Sequence, residues 1–222
     1  INKELIIQKH YLKSQLIQTI YFGGGTPSII DSVSLSHIIE TIETNYKLVQ
    51  NTEITIEANP EDISQEQILS WSSIGFNRIS LGVQSFRDQD LKYMNRIHNS
   101  KQATQAITLL QKSRINNLNV DLIYGYPGLD DSAWKKNLDK VISLNIPHIS
   151  CYCMTIEPQT PLYYFIKKGK YEKLNSAKGN RQFLIAREKL ISSGYEHYEI
   201  SNFAKPECAS LHNKNYWNKT HY

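Results

Sequence analysis

Cysteine is scarce in this chain: three residues among 222, at positions 151, 153 and 208. They are too few and too unevenly placed for a disulfide framework, and that usage fits a reducing cytoplasm. No apolar run approaches the length of a membrane span, and no stretch is organised as a signal peptide. A basic block is missing as well. The formal charge is only +4, and most of the 25 basic residues are Lys. Lysines mainly form solvated faces, whereas phosphate and base readout favours the Arg fork, so nothing points to nucleic acid. There is no internal repeat and no low-complexity linker. The chain also lacks an initiating Met. It opens at Ile1 on residues that read as a helix (Leu5, Ile6, Leu12, Leu16) and stops at Tyr222 without a closing element. Both ends are those expected of an internal piece of a longer protein, long enough for one full core.

What is present alternates between strand and helix signals. Ile20–Phe22 is a short apolar run ended by Gly23, Gly24 and Gly25, with Thr26-Pro27 turning the chain away. Leu35, Ile38, Ile39, Ile42 and Tyr46 fall on one helical stripe that Ser34 or Ser36 can cap. Residues 53–58 alternate, with Ile54, Ile56 and Ala58 on one face. A helix follows with Ser64 and Gln67 spaced as a capping box, Ile63 and Ile68 as a staple, and Gly75 as its stop. Arg78–Val83 reads as a strand, Ser100 as the cap of a helix through Leu110, and Leu118–Tyr124 as the next strand. Then come a helix around Trp134 and Leu138, a strand from His148 to about Met154, and a long helix from Arg181 to Ser193. A short strand-like segment over 196–200 ends the series. Strands separated by single helices predict right-handed crossovers and a parallel sheet, as an open doubly wound sheet or a TIM-like barrel.

In either architecture, ligands meet the C-terminal ends of the strands. Three consecutive glycines there let the backbone take positive φ and lie against a ligand, although the triplet alone is equally a flexible turn. Glu57 lies near the end of its strand, opposite Ile54 and Ile56. Gln84 ends the next strand, beside the space left by Ser80 and Gly82. Asp121 interrupts the apolar run Val120–Ile123, where an unpaired carboxylate is costly, so it must face a polar cavity or find partners. Each taken singly is an ordinary loop acid, surface amide or ion pair. Together with the glycine turn they favour a ligand pocket.

Tyr21-Phe-Gly-Gly-Gly-Thr-Pro27, Ile56-Glu-Ala-Asn-Pro60, Asn77-Arg-Ile-Ser-Leu-Gly-Val-Gln-Ser-Phe86 and Val120-Asp-Leu-Ile-Tyr-Gly125 resemble, in order and spacing, successive motifs of a radical S-adenosylmethionine (SAM) family. That family comprises oxygen-independent coproporphyrinogen III oxidase and its relatives. The resemblance runs from about Ile20 to the C-terminus. It implies an α/β fold: a partial TIM-like (β/α) barrel of the radical SAM type, parallel strands with outer helices, over residues 1–200. It implies that Gly24, Gly25 and Thr26 contact the methionyl part of SAM and that Glu57 holds the adenosyl moiety. Gln84, Arg96 and Asp121 take the remaining matching positions. An arginine suits the methionine carboxylate and a carboxylate suits ribose hydroxyls. Without the resemblance, Arg96 reads as a solvated helix-end residue. The family's Cys-x3-Cys-x2-Cys motif, which ligates a 4Fe-4S cluster ahead of the glycine strand, is missing here. Truncation accounts for that, and the cluster belongs to the full-length protein only. Cys151 and Cys153, two residues apart on a strand, cannot replace the motif and read as buried apolar cysteines.

Ser201-Asn-Phe-Ala-Lys-Pro206, His212-Asn-Lys-Asn-Tyr-Trp217 and Thr155-Ile-Glu-Pro158 resemble the haem chaperone branch of that family, and the second motif distinguishes it from the oxidases. Residues 201–222 are then the start of a C-terminal segment specific to that branch. The implied function is binding of haem and its transfer to acceptor haemoproteins, with haem (or a porphyrin) as cargo and an electron donor as a further partner. His212 is the candidate haem ligand, flanked by Tyr216 and Trp217, which suit a flat macrocycle. The ordinary alternative is a locally hydrogen-bonded His212, with both aromatics in the core. Cys208 is a second, weaker ligand candidate. The implied enzyme alternative is an oxygen-independent coproporphyrinogen III dehydrogenase acting through a 5′-deoxyadenosyl radical. A third reading, independent of the family, is a barrel hydrolase pairing Glu57 and Asp121 as acid and base.

Overall fold

The computed structural model describes residues 1–12 and 16–218. The opening helix, α1 (Asn2–Ile7), is shorter than the sequence suggests. Leu12 lies in a turn, and Leu16 precedes strand β1 (Ile17–Phe22) in irregular chain. Residues 13–15, between them, lie outside the described residues. The helix buries none of its residues, and a stripe that buries nothing has little to extend a helix beyond its costly first turn.

Helix α2 (Ser32–Asn45) buries Leu35, Ile38, Ile39 and Ile42, as its stripe requires. Its cap is Asp31, not Ser34 or Ser36. The Asp31 carboxylate accepts the Ser34 N–H at 2.9 Å and the Ser34 hydroxyl at 2.7 Å, and a negative charge there also meets the positive helix end. Strand β2 (Leu48–Ala58) starts earlier than the alternating run. Helix α3 (Gln65–Ile74) has the expected cap and stop: Ser64 Oγ accepts the Gln67 N–H, and Gly75 adopts φ +111°. Next come β3 (Arg78–Gln84), α4 (Asp88–Tyr93) and α5 (Ser100–Gln111). Ser100 is the first residue of α5 rather than its cap, and its N–H donates to Asp88 Oδ1 at 2.8 Å. Strand β4 (Asn117–Tyr124), helix α6 (Asp131–Ser143) and strand β5 (His148–Cys153) follow. Helices α7 (Pro161–Lys167) and α8 (Ser176–Ser192) precede two short strands, β6 (Glu196–His197) and β7 (Asn202–Ala204), and helix α9 (Leu211–Trp217). Helix α8 begins five residues before Arg181, under an Asn175 side-chain cap.

The hydrogen-bonded strand order is β1-β2-β3-β4-β5-β7-β6. Strands β1, β2 and β3 pair in parallel, whereas β7 is antiparallel to both β5 and β6. The uniformly parallel sheet expected from the sequence therefore ends in an antiparallel edge. The reason is the short return: four residues separate β6 from β7, enough for a reversal and too few for a crossover.

Two compact units divide the chain. The first takes residues 1–82, 102–119 and the chain from Cys208. Its apolar core includes Leu35, Ile56, Trp71, Ile79 and Leu81, all with essentially no exposure. On the other face, Glu53, Thr55, Arg78 and Ser80 are buried and polar, and Glu57 is half-buried. Thr55 registers with Arg78 and Glu57 with Ser80. The Arg78 guanidinium donates to Asn117 Oδ1, and Asn119 Nδ2 donates to Ser80 Oγ at 2.7 Å. The second unit takes residues 83–101 and 120–207. Gln182, fully buried on α8, organises the turn after β4. Its Oε1 accepts from Gly125 N at 2.9 Å, its Nε2 donates to Leu129 O at 3.0 Å, and Trp134 Nε1 donates to its carbonyl at 2.9 Å.

Candidate functional site

In the first unit, the end of β1 brings the glycine turn against Glu57. Gly24 and Gly25 have φ of +82° and +67°, and a Cβ on either would meet open space. Their backbone is thus bare on the side a ligand would approach. Gly23 differs: a Cβ there would lie 2.7 Å from the Tyr21 ring and 3.0 Å from Glu57 Oε1, so only glycine fits. The Gly24 N–H donates to Glu57 Oε2 at 3.0 Å, and the Tyr21 hydroxyl donates to Glu57 Oε1 at 3.0 Å. Thr26 precedes a 3-10 turn with Pro27 at its first position, which carries the chain away from the strand end. Each Glu57 oxygen accepts from a fixed donor. That arrangement suits a carboxylate that holds ligand hydroxyls and argues against the acid–base role of the hydrolase reading.

His212 belongs to the same unit. Its Nδ1 shares a hydrogen bond of 2.9 Å with Thr19 Oγ1, and its ring stacks on Tyr21 with centroids 4.8 Å apart. The start of α9 is fixed to β2 through buried Glu53, which accepts from Ser210 Oγ, Leu211 N and His212 N at 3.0–3.2 Å. Burial pushes the His212 pKa below its ordinary value of 6.5, against an upward pull from Glu53, so the imidazole is neutral at neutral pH. Tyr216 and Trp217 are 53 % and 59 % exposed, which overturns the alternative that placed them in the core.

In the second unit, Gln84, Arg96 and Asp121 line one pocket of about 940 Å³. Gln84 ends β3 at φ +67°, a conformation unusual for a non-glycine residue and one that clusters at ligand sites. The residues behind it hold the turn. Phe86 N donates to Asn137 Oδ1 at 2.9 Å, Asn137 Nδ2 donates to Ser85 Oγ, and Ser85 Oγ donates to Asp90 Oδ2 at 2.8 Å, with Ser85, Asp90 and Asn137 all buried. Arg96 reaches the pocket through a helix-ending motif. Asn95, at φ +55°, follows α4. The Asn95 N–H bonds to Lys92 O and the Arg96 N–H to Leu91 O, the paired bonds of a Schellman turn. Arg96 therefore leaves the helix half-buried instead of ending as a solvated side chain.

Much of the remaining wall is aromatic and apolar, with Tyr93, Tyr152, Phe165 and Tyr171 beside Met154 and Leu162, while Lys92, Asn95, Thr155 and Thr160 add polar groups. None of the four aromatic side chains was singled out from the sequence. They come from α4, the end of β5, α7 and the segment after it, and the short helices carry no periodic signal. Cys153 is also on the pocket wall and is exposed, which corrects the expectation that both strand cysteines are buried. Cys151 is buried, and burial with Asp121 nearby raises its thiol pKa far above the ordinary range. The cause of the difference is the sheet end: β5 stops at Cys153, beyond the covered part of the strand.

Each unit by itself carries groups of the kinds a SAM molecule takes: a bare main-chain turn beside a carboxylate in the first, and an amide, a guanidinium and a carboxylate lining one pocket in the second. Neither set fits a 4Fe-4S cluster, which needs several thiolates. Among the described residues, no group of three or more His, Cys, Asp or Glu side chains is placed to hold a metal ion. No helix of the described residues is long and apolar enough to cross a membrane.

Comparison with known proteins gives the chain's family and fold. The chain is 34% identical over 220 residues to "Heme chaperone HemW" of Synechocystis, covering 99% of this chain and 53% of that protein. It is 34% identical over 207 residues to "Heme chaperone HemW" of Escherichia coli, covering 93% of this chain and 54% of that one. It thus spans about half the length of these curated relatives. Among solved structures, coproporphyrinogen III oxidase (HemN) from Escherichia coli, described as a radical SAM enzyme, superposes with a TM-score of 0.76 at 22% identity. That match covers 93% of this chain and 48% of the oxidase. The likeness shows the partial (β/α) barrel fold expected from the sequence. The Radical SAM superfamily model matches residues 3–141, well over half of the chain, and the chain belongs to that superfamily.

Proposed function

We propose that the full-length protein is a haem chaperone, binding haem and passing it to acceptor haemoproteins, and that this chain supplies its SAM site. The observation that carries the reading is His212 in the His212-Asn-Lys-Asn-Tyr-Trp217 motif. Its imidazole is neutral, as metal ligation requires, and Thr19 engages Nδ1, leaving Nε2 as the nitrogen for iron. A ligand histidine is commonly oriented by a partner on its second nitrogen. Exposed Tyr216 and Trp217 offer flat apolar surface for a macrocycle on the same short helix. Curated relatives named as haem chaperones support the reading, and residues 201–222 begin the segment specific to that branch.

For SAM, we assign Gly24, Gly25 and Thr26 to the methionyl part, Glu57 to the adenosyl moiety, and Gln84 and Asp121 to further polar contacts. Arg96 is the cation for the methionine carboxylate. SAM bound there supplies an adenosyl group activated by its sulfonium. The chain's own residues bind and orient it, and an electron donor and an acceptor haemoprotein complete the partner set. Three free cysteines suit a cytoplasmic setting.

The test is a haem titration of the full-length protein, with its cluster reconstituted, followed by the Soret band. Saturable binding is expected in the wild type, with a shifted and weakened spectrum in His212→Ala. Identical spectra and affinity in both would remove His212 as the ligand.

A further inference from the structure

We propose that Tyr21 is a positioning residue for Glu57 and that His212 holds Tyr21 in place. The inference rests on the assignment of Glu57 to SAM. It gives the His-Asn-x-x-Tyr-Trp motif a second task that operates without haem.

The contacts form a closed circuit between two strands and a helix. Glu57 on β2 receives the Tyr21 hydroxyl from β1 on one oxygen and the Gly24 N–H on the other, each at 3.0 Å. Two fixed donors set both the rotamer and the plane of the carboxylate, and each oxygen keeps a further lone pair for a ligand hydroxyl. The Tyr21 ring is confined on two sides. Gly23 passes so close that a Cβ would lie 2.7 Å from Tyr21 Cε1, and His212 stacks on the ring at an interplanar angle of 23°. His212 is itself held at Nδ1 by Thr19, at its N–H by Glu53 Oε1, and by the edge of the Tyr216 ring, 5.2 Å away. Glu53 returns the circuit to β2, four residues before Glu57 and on the same face. Strand alternation puts residues 53, 55 and 57 in one row, so the anchor of α9 and the ligand-facing acid share one rigid element.

A haem ligand alone needs none of this. It needs an accessible Nε2 and an orienting partner on Nδ1, which Thr19 provides without Tyr21. The stack on Tyr21, whose hydroxyl ends on Glu57, is what the extra geometry adds.

The experiment uses the full-length protein with its cluster reconstituted and no haem present. SAM and 5′-deoxyadenosine affinities are measured by equilibrium dialysis for the wild type, Tyr21→Phe, His212→Ala, His212→Phe and Glu57→Ala. Loss of one hydrogen bond to a charged group predicts affinities about tenfold weaker in Tyr21→Phe for both ligands, with cooperative unfolding retained. His212→Ala is expected to weaken both as well, and His212→Phe, which keeps a ring against Tyr21, to recover part of the loss. A merely structural effect of these changes would not spare methionine while weakening the adenosyl ligands, so unchanged methionine affinity is the distinguishing result. Wild-type affinities in both Tyr21→Phe and His212→Ala, with binding lost in Glu57→Ala, overturn the positioning role and leave the Glu57 assignment standing. Wild-type affinity in Glu57→Ala overturns both.

Discussion

The Gly24 amide donates to Glu57 Oε2 at 3.0 Å, across 33 residues of sequence. This one bond joins the glycine turn to the acid that the family resemblance pairs with it. Register makes the contact: Phe22, the last residue of β1, is paired with Ile56, so the residues just beyond both positions meet at the sheet end.

Replacing Glu57 or Asp121 by alanine is expected to weaken SAM binding by about 10- to 100-fold, the range for losing hydrogen bonds to a charged group. Calorimetric titration of the full-length protein reads the effect directly. Unchanged affinity in both variants removes them from the site.

Gly23→Ala and Gly24→Ala separate two uses of glycine. At Gly23 the added methyl collides with Tyr21 and Glu57 and is expected to cost about 1–3 kcal/mol in urea unfolding. At Gly24 the methyl meets open space, and only the φ of +82° is penalised, by about 1–2 kcal/mol. Gly23→Ala is therefore expected to weaken SAM binding more than its stability loss alone implies, because it displaces the acid.

The Asn137 amide closes a buried network behind Gln84. Asn137→Ala strands the Phe86 N–H and part of Ser85, with an expected loss of about 1–3 kcal/mol. Chemical denaturation measures it. A loss below about 0.5 kcal/mol would mean the turn at Gln84 is held by other contacts.

The His212 pKa is depressed by burial, so the folded state binds fewer protons there than the unfolded chain. Its contribution to stability is complete above the ordinary value of 6.5 and is lost as pH falls through the lowered folded value. Unfolding midpoints between pH 7 and about 5 should fall less steeply in His212→Phe than in the wild type. Parallel pH profiles would contradict the burial argument.

Much of this was readable from residues alone. The strands around Ile54, Ile79 and Val120 are apolar β-branched runs, and their period survives folding because both faces are covered. Gly75 ends α3 because its φ of +111° demands it. The short elements were not readable. Helices α4, α7 and α9 each have seven residues or fewer, too short for a periodic signal; α9 is anchored from a distance by Glu53, and α4 is closed by the Schellman turn after it. Strand β7 is three residues long and is defined by its partners. Ser34 and Ser36 lost the α2 cap to Asp31, whose charge no hydroxyl matches. Of the candidate site, Glu57 and Gln84 were legible as polar strand ends, but Tyr21 was not, because its role depends on which acid its hydroxyl reaches.

The central claim is haem transfer on a radical SAM scaffold, and a paired assay tests it most directly. The full-length protein, reconstituted anaerobically, is given haem and an apo-haemoprotein in one vessel and coproporphyrinogen III with SAM in another. The account predicts stable haem binding and delivery to the apo-protein, without turnover of the porphyrinogen. Decarboxylation of coproporphyrinogen III with no stable haem binding would contradict it and identify an oxidase instead.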